Sequence, residues 1–258
     1  MEHGYSLTRA CKIINLTRSL YYYTSVKDDS EVIAKLEQLA VLKPKEGQDK
    51  FYHRIRNEGY NWNHKRVERV YKMMGLNRRR RSKKRIPARV KQPLVIPMKL
   101  NDTWSMDFMH DTLMNGRKFR VLNIIDDFNR EALRIEPHFN IGSNLVVKVL
   151  ERLILERGKP SSIRVDNGPE FIATALTDWC CEKDIKLIYI QPGKPMQNGY
   201  IERFNRSYRE DVLDANLFES IYQARELSDD FLEDYNLHRP HESLGNISPV
   251  NYKNKVYA

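Results

Sequence analysis

Apolar residues in the first part of the chain recur at helical rather than strand spacing. Leu7, Ala10, Cys11 and Ile14 follow Ser6, a residue suited to a helix N-cap, and Thr17 starts a second helix running into Tyr21, Tyr22 and Tyr23. Val32, Ile33, Leu36, Leu39 and Val41 lie near a helical period over residues 29–42, and Pro44 with Gly47 ends that pattern. Two more helices are predicted at Phe51–Asn57 and Asn63–Met74, parted by Glu58-Gly59-Tyr60-Asn61, an arrangement of helix-turn-helix type. In the second of these, Val67, Val70 and Met74 face a small core while His64, Lys65, Arg66, Arg69 and Lys72 crowd the other side. That side is either a phosphate-facing surface or an ordinary solvated one.

From residue 100 the period changes. Residues 102–110 alternate Trp104, Met106 and Phe108 with Ser105, Asp107 and Met109, as a strand does. Arg117–Asp126 holds the apolar run Val121-Leu122-Asn123-Ile124-Ile125, and Arg130–Pro137 completes a meander. There follow an amphipathic helix at Asn144–Arg157, a short buried strand at Ile163–Asp166, a helix at Ala173–Glu182, a strand at Lys186–Ile190 and a long helix at Gln197–Leu213. Three strands followed by alternating helices and strands predict a mixed α/β layered domain.

Charge divides the same chain differently. The 258 residues carry a net +10, but residues 1–100 hold 24 basic and nine acidic side chains, and residues 101–258 hold 20 and 25. The basic first part suits a polyanion such as nucleic acid. Arg78, Arg79, Arg80, Arg81, Lys83, Lys84 and Arg85 precede a stretch with Pro87, Pro93 and Pro97, which cannot fold by itself and reads as a linker that tracks phosphates. The expected organisation is a helical, helix-turn-helix-like region at 1–76, a basic linker at 77–99, a catalytic core at 100–215, and a C-terminal helix and tail packing on that core at 216–258. No apolar run reaches the roughly 18 residues of a membrane span, so no membrane partner and a cytoplasmic location are expected. Cys11, Cys180 and Cys181 lack the spacing of a zinc knuckle or a disulfide framework.

Three carboxylates stand out in the acidic part. Asp107 lies in a strand between large apolar residues, Asp166 ends a strand before the turn signal Asn167-Gly168-Pro169, and Glu202 flanks the apolar stripe Ile201, Phe204, Tyr208 and Val212 of a helix. Taken singly, each has an ordinary role as turn former, helix-dipole partner or solvated side chain. Gathered at one end of a sheet they would repel one another unless a hard cation such as Mg²⁺ or Mn²⁺ neutralised them. Asp126-Asp127, a second acidic pair, reads as a strand-end turn.

Asp107 within DTWSMDF, Asp166 within VDNGPEF and Glu202 within QNGYIERFNRSYRED resemble the DDE triad of the retroviral-integrase superfamily, with 35 residues between the second and third. GKPMQNGYIERFN and YNLHRPHESLGNISPVNY (residues 235–252) make the likeness more specific, and NWNHKRVERVYKMMGLNRRRRSKKR extends it toward the amino terminus. The chain is similar to the OrfB product of insertion-sequence transposases of the IS three family. That resemblance implies an RNase H-like (integrase catalytic core) mixed sheet flanked by helices, preceded by a small all-α helix-turn-helix-like domain. It implies Mg²⁺- or Mn²⁺-dependent cleavage at DNA 3′ ends and strand transfer during transposition, with two ions held by Asp107, Asp166 and Glu202. Arg209, and with it Arg206, is expected to contact DNA phosphates near the scissile bond or else to pair along the helix with Glu202 or Glu210, and Lys194, Gln197 and Asn198 sit in a Pro/Gly-bounded loop beside Glu202 suited to DNA contacts. The basic helix adds Lys65, Arg66 and Arg69. Expected partners are terminal inverted repeats and target DNA, further copies of the chain, and an upstream OrfA product as partner or fusion. His238 and His241 are expected to be structural or phosphate-contacting. Two other readings stay open at this point, a DNA-binding regulator without chemistry and a structure-specific nuclease on the same fold.

Overall fold

Large apolar side chains on both faces of one strand require cover on both sides, and that strand is the middle of the sheet. In the computed structural model, which describes residues 6–24, 27–77, 97–191 and 198–258, β1 (Thr103–Thr112) lies between β2 (Lys118–Asp126) and β4 (Ser162–Val165). The edges are β3 (Ala132–His138) and β5 (Lys186–Tyr189), giving the order β3-β2-β1-β4-β5. The first three strands form an antiparallel meander, whereas β4 runs parallel to β1 and β5 parallel to β4. Parallel neighbours need helical crossovers, supplied by α6 (Ser143–Arg157) before β4 and by α7 (Pro169–Ile172) and α8 (Thr174–Glu182) before β5.

Those crossovers cover one face, where Trp104, Met106, Leu122 and Ile124 pack with Val146, Leu150, Leu176 and Trp179. On the other face Met109, Val121, Ile125 and Ile135 lie under α9 (Gly199–Tyr208) and α10 (Ile221–Leu237), through Ile201, Phe204, Tyr208, Phe231 and Tyr235. Burial on both faces explains why β2 is buried almost throughout and carries Val121, Leu122, Ile124 and Ile125 rather than a strict alternation. The chain ends in α11 (Pro249–Tyr257), capped by Ser248, whose hydroxyl accepts from the Asn251 N–H at 3.4 Å.

Two boundaries differ from the sequence expectation. The helix expected through Leu213 ends at Tyr208 and continues as a π-helical turn over Arg209–Leu213, in which the Asp214 N–H reaches back to the Arg209 carbonyl at 2.8 Å. The turn after Asp166 holds an unexpected helical turn, α7, with Pro169 at its first position, where its missing N–H costs nothing.

The amino-terminal helices are α1 (Leu7–Ile13), α2 (Arg18–Tyr21), α3 (Ser30–Leu42), α4 (Gln48–Asn57) and α5 (His64–Met73). The last three enclose a core of Val32, Leu36, Leu39, Phe51, Ile55, Val67, Val70 and Tyr71, with Met74 only at its margin. Asn63 caps α5 by accepting from the Lys65 N–H at 2.8 Å. Arg78–Arg85 lie outside the described residues.

This helical unit docks on the sheet domain through charge. Arg54 of α4, its side chain 6% exposed, donates to Glu46 at 2.7 and 2.8 Å and to Asp234 of α10 at 3.0 and 2.8 Å. Lys43 also reaches Asp234 at 3.0 Å, and Arg239 bridges Glu46 and Asp211. The guanidinium of Arg54 holds the carboxyls of Glu46 and Asp234 below their usual range despite burial. Removing one member of such a network strands the others in a poorly solvated interface. Arg54→Ala is expected to lower stability in urea denaturation by about 3–5 kcal/mol, and a loss under about 1 kcal/mol would mean that the interface is solvated.

A candidate active site of three carboxylates

Sheet register brings the first two carboxylates together. β1 and β4 pair Thr103 with Ser162, Trp104 with Ile163 and Ser105 with Arg164, and two further steps along the same register set Asp166 beside Asp107. Residues matched across a parallel pair share a face. For Asp107 that face is the one beneath α9, so its side chain is half-buried rather than open to water.

Two donors fix it directly. The Phe108 N–H donates to Oδ1 of Asp107 at 2.8 Å, and Nδ2 of Asn205 on α9 donates to Oδ2 at 2.7 Å. Asn205 in turn accepts from Nδ2 of Asn123 at 2.7 Å, and Asn123 is the residue opposite Asp107 in β2. The carboxylate thus sets the direction of both amides, since only an NH₂ can face it. Burial, and then the charges of Asp166 and Glu202, push the Asp107 carboxyl up to about 6, against the two hydrogen bonds that hold it down.

Asp166 is exposed just beyond β4, and its Oδ1 accepts from the Gly168 N–H at 3.0 Å. A Cβ at Gly168 would come 3.0 Å from that same oxygen, a contact that would press on the carboxylate. Asn167 ties the turn to the next strand by donating to the Ile190 carbonyl at 3.0 Å. Glu202 is exposed on α9 one turn before Asn205, the residue that touches Asp107, and three residues along a helix lie on one side of it. All three expected carboxylates therefore act on one locality.

Among the described residues no three His, Cys, Asp or Glu side chains close on a single point tightly enough to ligate an ion. The donor set still fits a hard divalent cation, because three carboxylates supply oxygen ligands and the ionised form of Asp107 is penalised by burial and by two like charges.

The expected DNA contacts fare differently. Arg206 is exposed on α9. Arg209 is anchored to the end of β1, donating to the His110 carbonyl at 2.8 Å and to Asp111 at 3.4 Å, with Asp214 at 3.7 Å, rather than pairing with Glu202 or Glu210. Asn198 is buried, 4% exposed, and its Oδ1 has no hydrogen-bond partner among the described residues. Lys194 and Gln197 lie outside the described residues. On α5, Arg66 and Arg69 both pair with Asp29, at 3.0 and 2.7 Å, and Lys65 is exposed. His238 is exposed, while burial, with Arg239 and Lys50 behind it, pushes the His241 imidazole down to about 3, so it is neutral. Asp126 forms the expected turn, accepting from the Phe128 N–H at 2.8 Å, and Asp127 is wholly buried against Arg164.

Asn205 and Asn123 were not foreseen as part of the site. Their signal is a polar side chain where an apolar one belongs: Asn205 falls on the buried stripe of α9, and Asn123 interrupts the apolar run of β2.

The integrase core domain family matches this chain at residues 98–195 and again at 183–249. The insertion element IS407 uncharacterized 31.7 kDa protein of Burkholderia multivorans is 36% identical over 96% of the chain and 90% of its own length. The insertion element IS476 uncharacterized 39.2 kDa protein of Xanthomonas euvesicatoria is 37% identical over 98% of the chain and 74% of its own length. Among solved structures, the HTLV-2 integrase catalytic core domain in complex with magnesium (trimeric form) is 20% identical, with a TM-score of 0.46, over 62% of this chain and 99% of that one.

Because folded Asp107 holds its proton more tightly than an ordinary carboxyl, its contribution favours folding at low pH and is lost as the pH rises through about 6. In metal-free protein, Asp107→Asn is expected to gain in thermal stability on the parent as the pH goes from about 4 to about 7. Millimolar Mg²⁺ should narrow that gap. Asn205→Ala removes a donor to the carboxylate and should move the Asp107 midpoint further up, as read by carbon-13 NMR; an ordinary midpoint in both proteins would refute the site's electrostatics.

Proposed function

The chain belongs to the integrase-core family, within the insertion-element transposases of the IS three type, and from that membership we propose that Asp107, Asp166 and Glu202 are the catalytic triad of its chemistry on DNA. As such a transposase it is a polynucleotidyl transferase of the DDE class. The observation that carries the assignment of residues is that the charges of Asp166 and Glu202 both reach the half-buried carboxyl of Asp107.

Asp107, Asp166 and Glu202 would hold the divalent ions, two of Mg²⁺ or Mn²⁺, which when bound would supply Lewis-acid polarisation of the phosphodiester. The remaining work falls to the chain. Asn205 and the Phe108 N–H hold the Asp107 oxygens in place, and the Gly168 turn holds Asp166. Arg206, and Arg209 from its anchorage at the end of β1, steady the DNA backbone, with Lys65, Arg66, Arg69 and the basic run Arg78–Arg85 adding sequence-independent attraction. Water breaks a phosphodiester at the element's end, leaving a 3′-hydroxyl and a 5′-phosphate. That hydroxyl attacks a second phosphodiester, one P–O bond forming as the bond to the target strand's 3′-oxygen breaks, the attacking hydroxyl giving up its proton and the departing oxygen taking one from solvent. Bond number is conserved in the second step, so no nucleotide triphosphate is consumed.

An element has two ends and each chain one triad, which favours a homo-oligomer as the active assembly, on terminal inverted repeats and target DNA. An OrfA product, as partner or fusion, would add contacts to the ends. Among the described residues no helix is long and apolar enough to cross a membrane.

Glu202→Gln keeps the size of the side chain and removes its charge. It is expected to reduce strand transfer on oligonucleotide ends in Mg²⁺ or Mn²⁺ by about a thousandfold or more, the effect of losing several kcal/mol of metal-assisted stabilisation. Joining at the parental rate would remove the assignment, and hydrolysis without joining by the unmodified protein would make it a nuclease.

A further inference from the structure

A cleft of about 980 Å³ runs between α4 of the helical unit and α9 of the sheet domain, and Glu202 is on its wall. Its lining holds Asp49, Glu202 and Glu242, outnumbered by Lys and Arg side chains. Lys50 of α4, Arg130 from the turn after β2, Arg203 of α9 and Arg239 all face it. Their charges converge, for Arg239, Lys50 and Arg203 reach the imidazole of His241, and Arg239, Arg130 and Arg203 reach the hydroxyl of Tyr235.

Of these four, Arg239 forms close ion pairs, with Glu46 and Asp211; the same two carboxylates act on Lys50 from further off, and Asp127 feels Arg130. Lys50 is half-buried and makes no close ion pair or hydrogen bond among the described residues, nor does the exposed Arg203. Burial, then Arg239, push the Lys50 ammonium down to about 8. Arg130 is the least economical of the set. It sits at φ +63°, a backbone conformation that a non-glycine residue adopts at a cost, and its Nη1 is buried without a hydrogen-bond partner among the described residues. Its guanidinium carbon lies over the Tyr200 ring, 3.3 Å from the centroid. A basic groove with a guanidinium set over an aromatic ring is the chemistry that holds an unpaired strand.

We propose that this cleft binds a single-stranded segment of DNA beside the triad, with Lys50, Arg130 and Arg203 on its phosphates and the Arg130–Tyr200 pair against a base. The inference rests on the DNA-transfer reading for its ligand, since a strand in this cleft passes Glu202 on its way to the reacting phosphate. It adds a second DNA site, made jointly by the two domains, to the expected contacts on α5 and on the outer side of α9. It also gives the strained Arg130 a use: the buried nitrogen that lacks a partner is the one a phosphate oxygen would satisfy.

Binding is read in EDTA with the full chain, so the result does not depend on the triad. The probes are a fluorescein-labelled oligothymidylate of about eight nucleotides and a blunt duplex of like length, followed by anisotropy over a salt series. Lys50→Gln and Arg203→Gln are each expected to weaken the single strand about fivefold to tenfold and to lower the salt slope by about 0.7. Tyr200→Ala should weaken it by about tenfold or more through lost stacking. Duplex affinity should change less than twofold in all three. Arg203 is exposed, so its variant tests the cleft without disturbing the fold, and circular dichroism melting checks the other two. Unchanged single-strand affinity and salt slope in the folded Arg203 variant would overturn the proposal, as would equal losses for strand and duplex. A 5-iodouracil strand should photo-cross-link to Tyr200, and cross-linking confined to α5 would likewise overturn it. Loss of strand binding with the triad assignment refuted, or the reverse, are separate outcomes of separate assays.

Discussion

A carboxylate in the central strand of a sheet, beneath a helix and next to two others, is the arrangement around which the rest of this molecule is organised. Its ionised form is opposed by burial and by like charge, so it persists only where hydrogen-bond donors are fixed in advance. Asn205 supplies one and the backbone of Phe108 another, and Asn123, opposite in the neighbouring strand, keeps Asn205 turned the right way. Each of these contacts depends on register: β1 against β2 for Asn123, β1 against β4 for Asp166, and the seat of α9 on the sheet for Asn205 and Glu202. The apolar layers on the two faces hold those registers, which is how Phe204, Tyr208 and Tyr235 contribute to a polar site that they do not touch.

The helical unit joins this core in a different manner. Its own three-helix core is apolar, but its seat against α10 is ionic, with Arg54 at the centre and carboxylates from both domains around it. Ionic seats are directional where apolar ones slide, and a bidentate guanidinium fixes an angle as well as a distance. The cleft between α4 and α9 owes its shape to that fixed angle. Arg239 belongs to both structures, closing the ion network behind the cleft, with Lys50, Arg130 and Arg203 among the other cations on its walls.

Much of this was readable from residues alone, for definite reasons. Strand and helix periods are local, and they placed β1, β2, α3 and α6 within a residue or two. Asp107, Asp166 and Glu202 could be singled out because they sit in short, specific surroundings. What local pattern does not carry is pairing across distance. Arg54 meets Asp234 from 180 positions away, and no period links them. The basic face of α5 was evident, but that Arg66 and Arg69 share Asp29 depends on the packing of α3 against α5. Asn205 announced its burial by interrupting an apolar stripe without announcing its partner. The break of the long helix at Tyr208 left no mark in composition, since Arg209–Leu213 is an ordinary helical sequence that forms a wide turn only in place.

That wide turn acts as a phase adjuster. Closing five residues per hydrogen-bonded loop instead of four inserts about 100° of rotation relative to a continuous helix. Upstream of it the helix is clocked so that Asn205 meets Asp107; downstream, Val212 and Leu213 are brought back to the apolar layer and Arg209 is swung onto the tip of β1. A regular helix can satisfy only one of those two alignments. The extra residue uncouples the angular setting of the acidic site from that of the packing beyond it, so each can be tuned by sequence without disturbing the other.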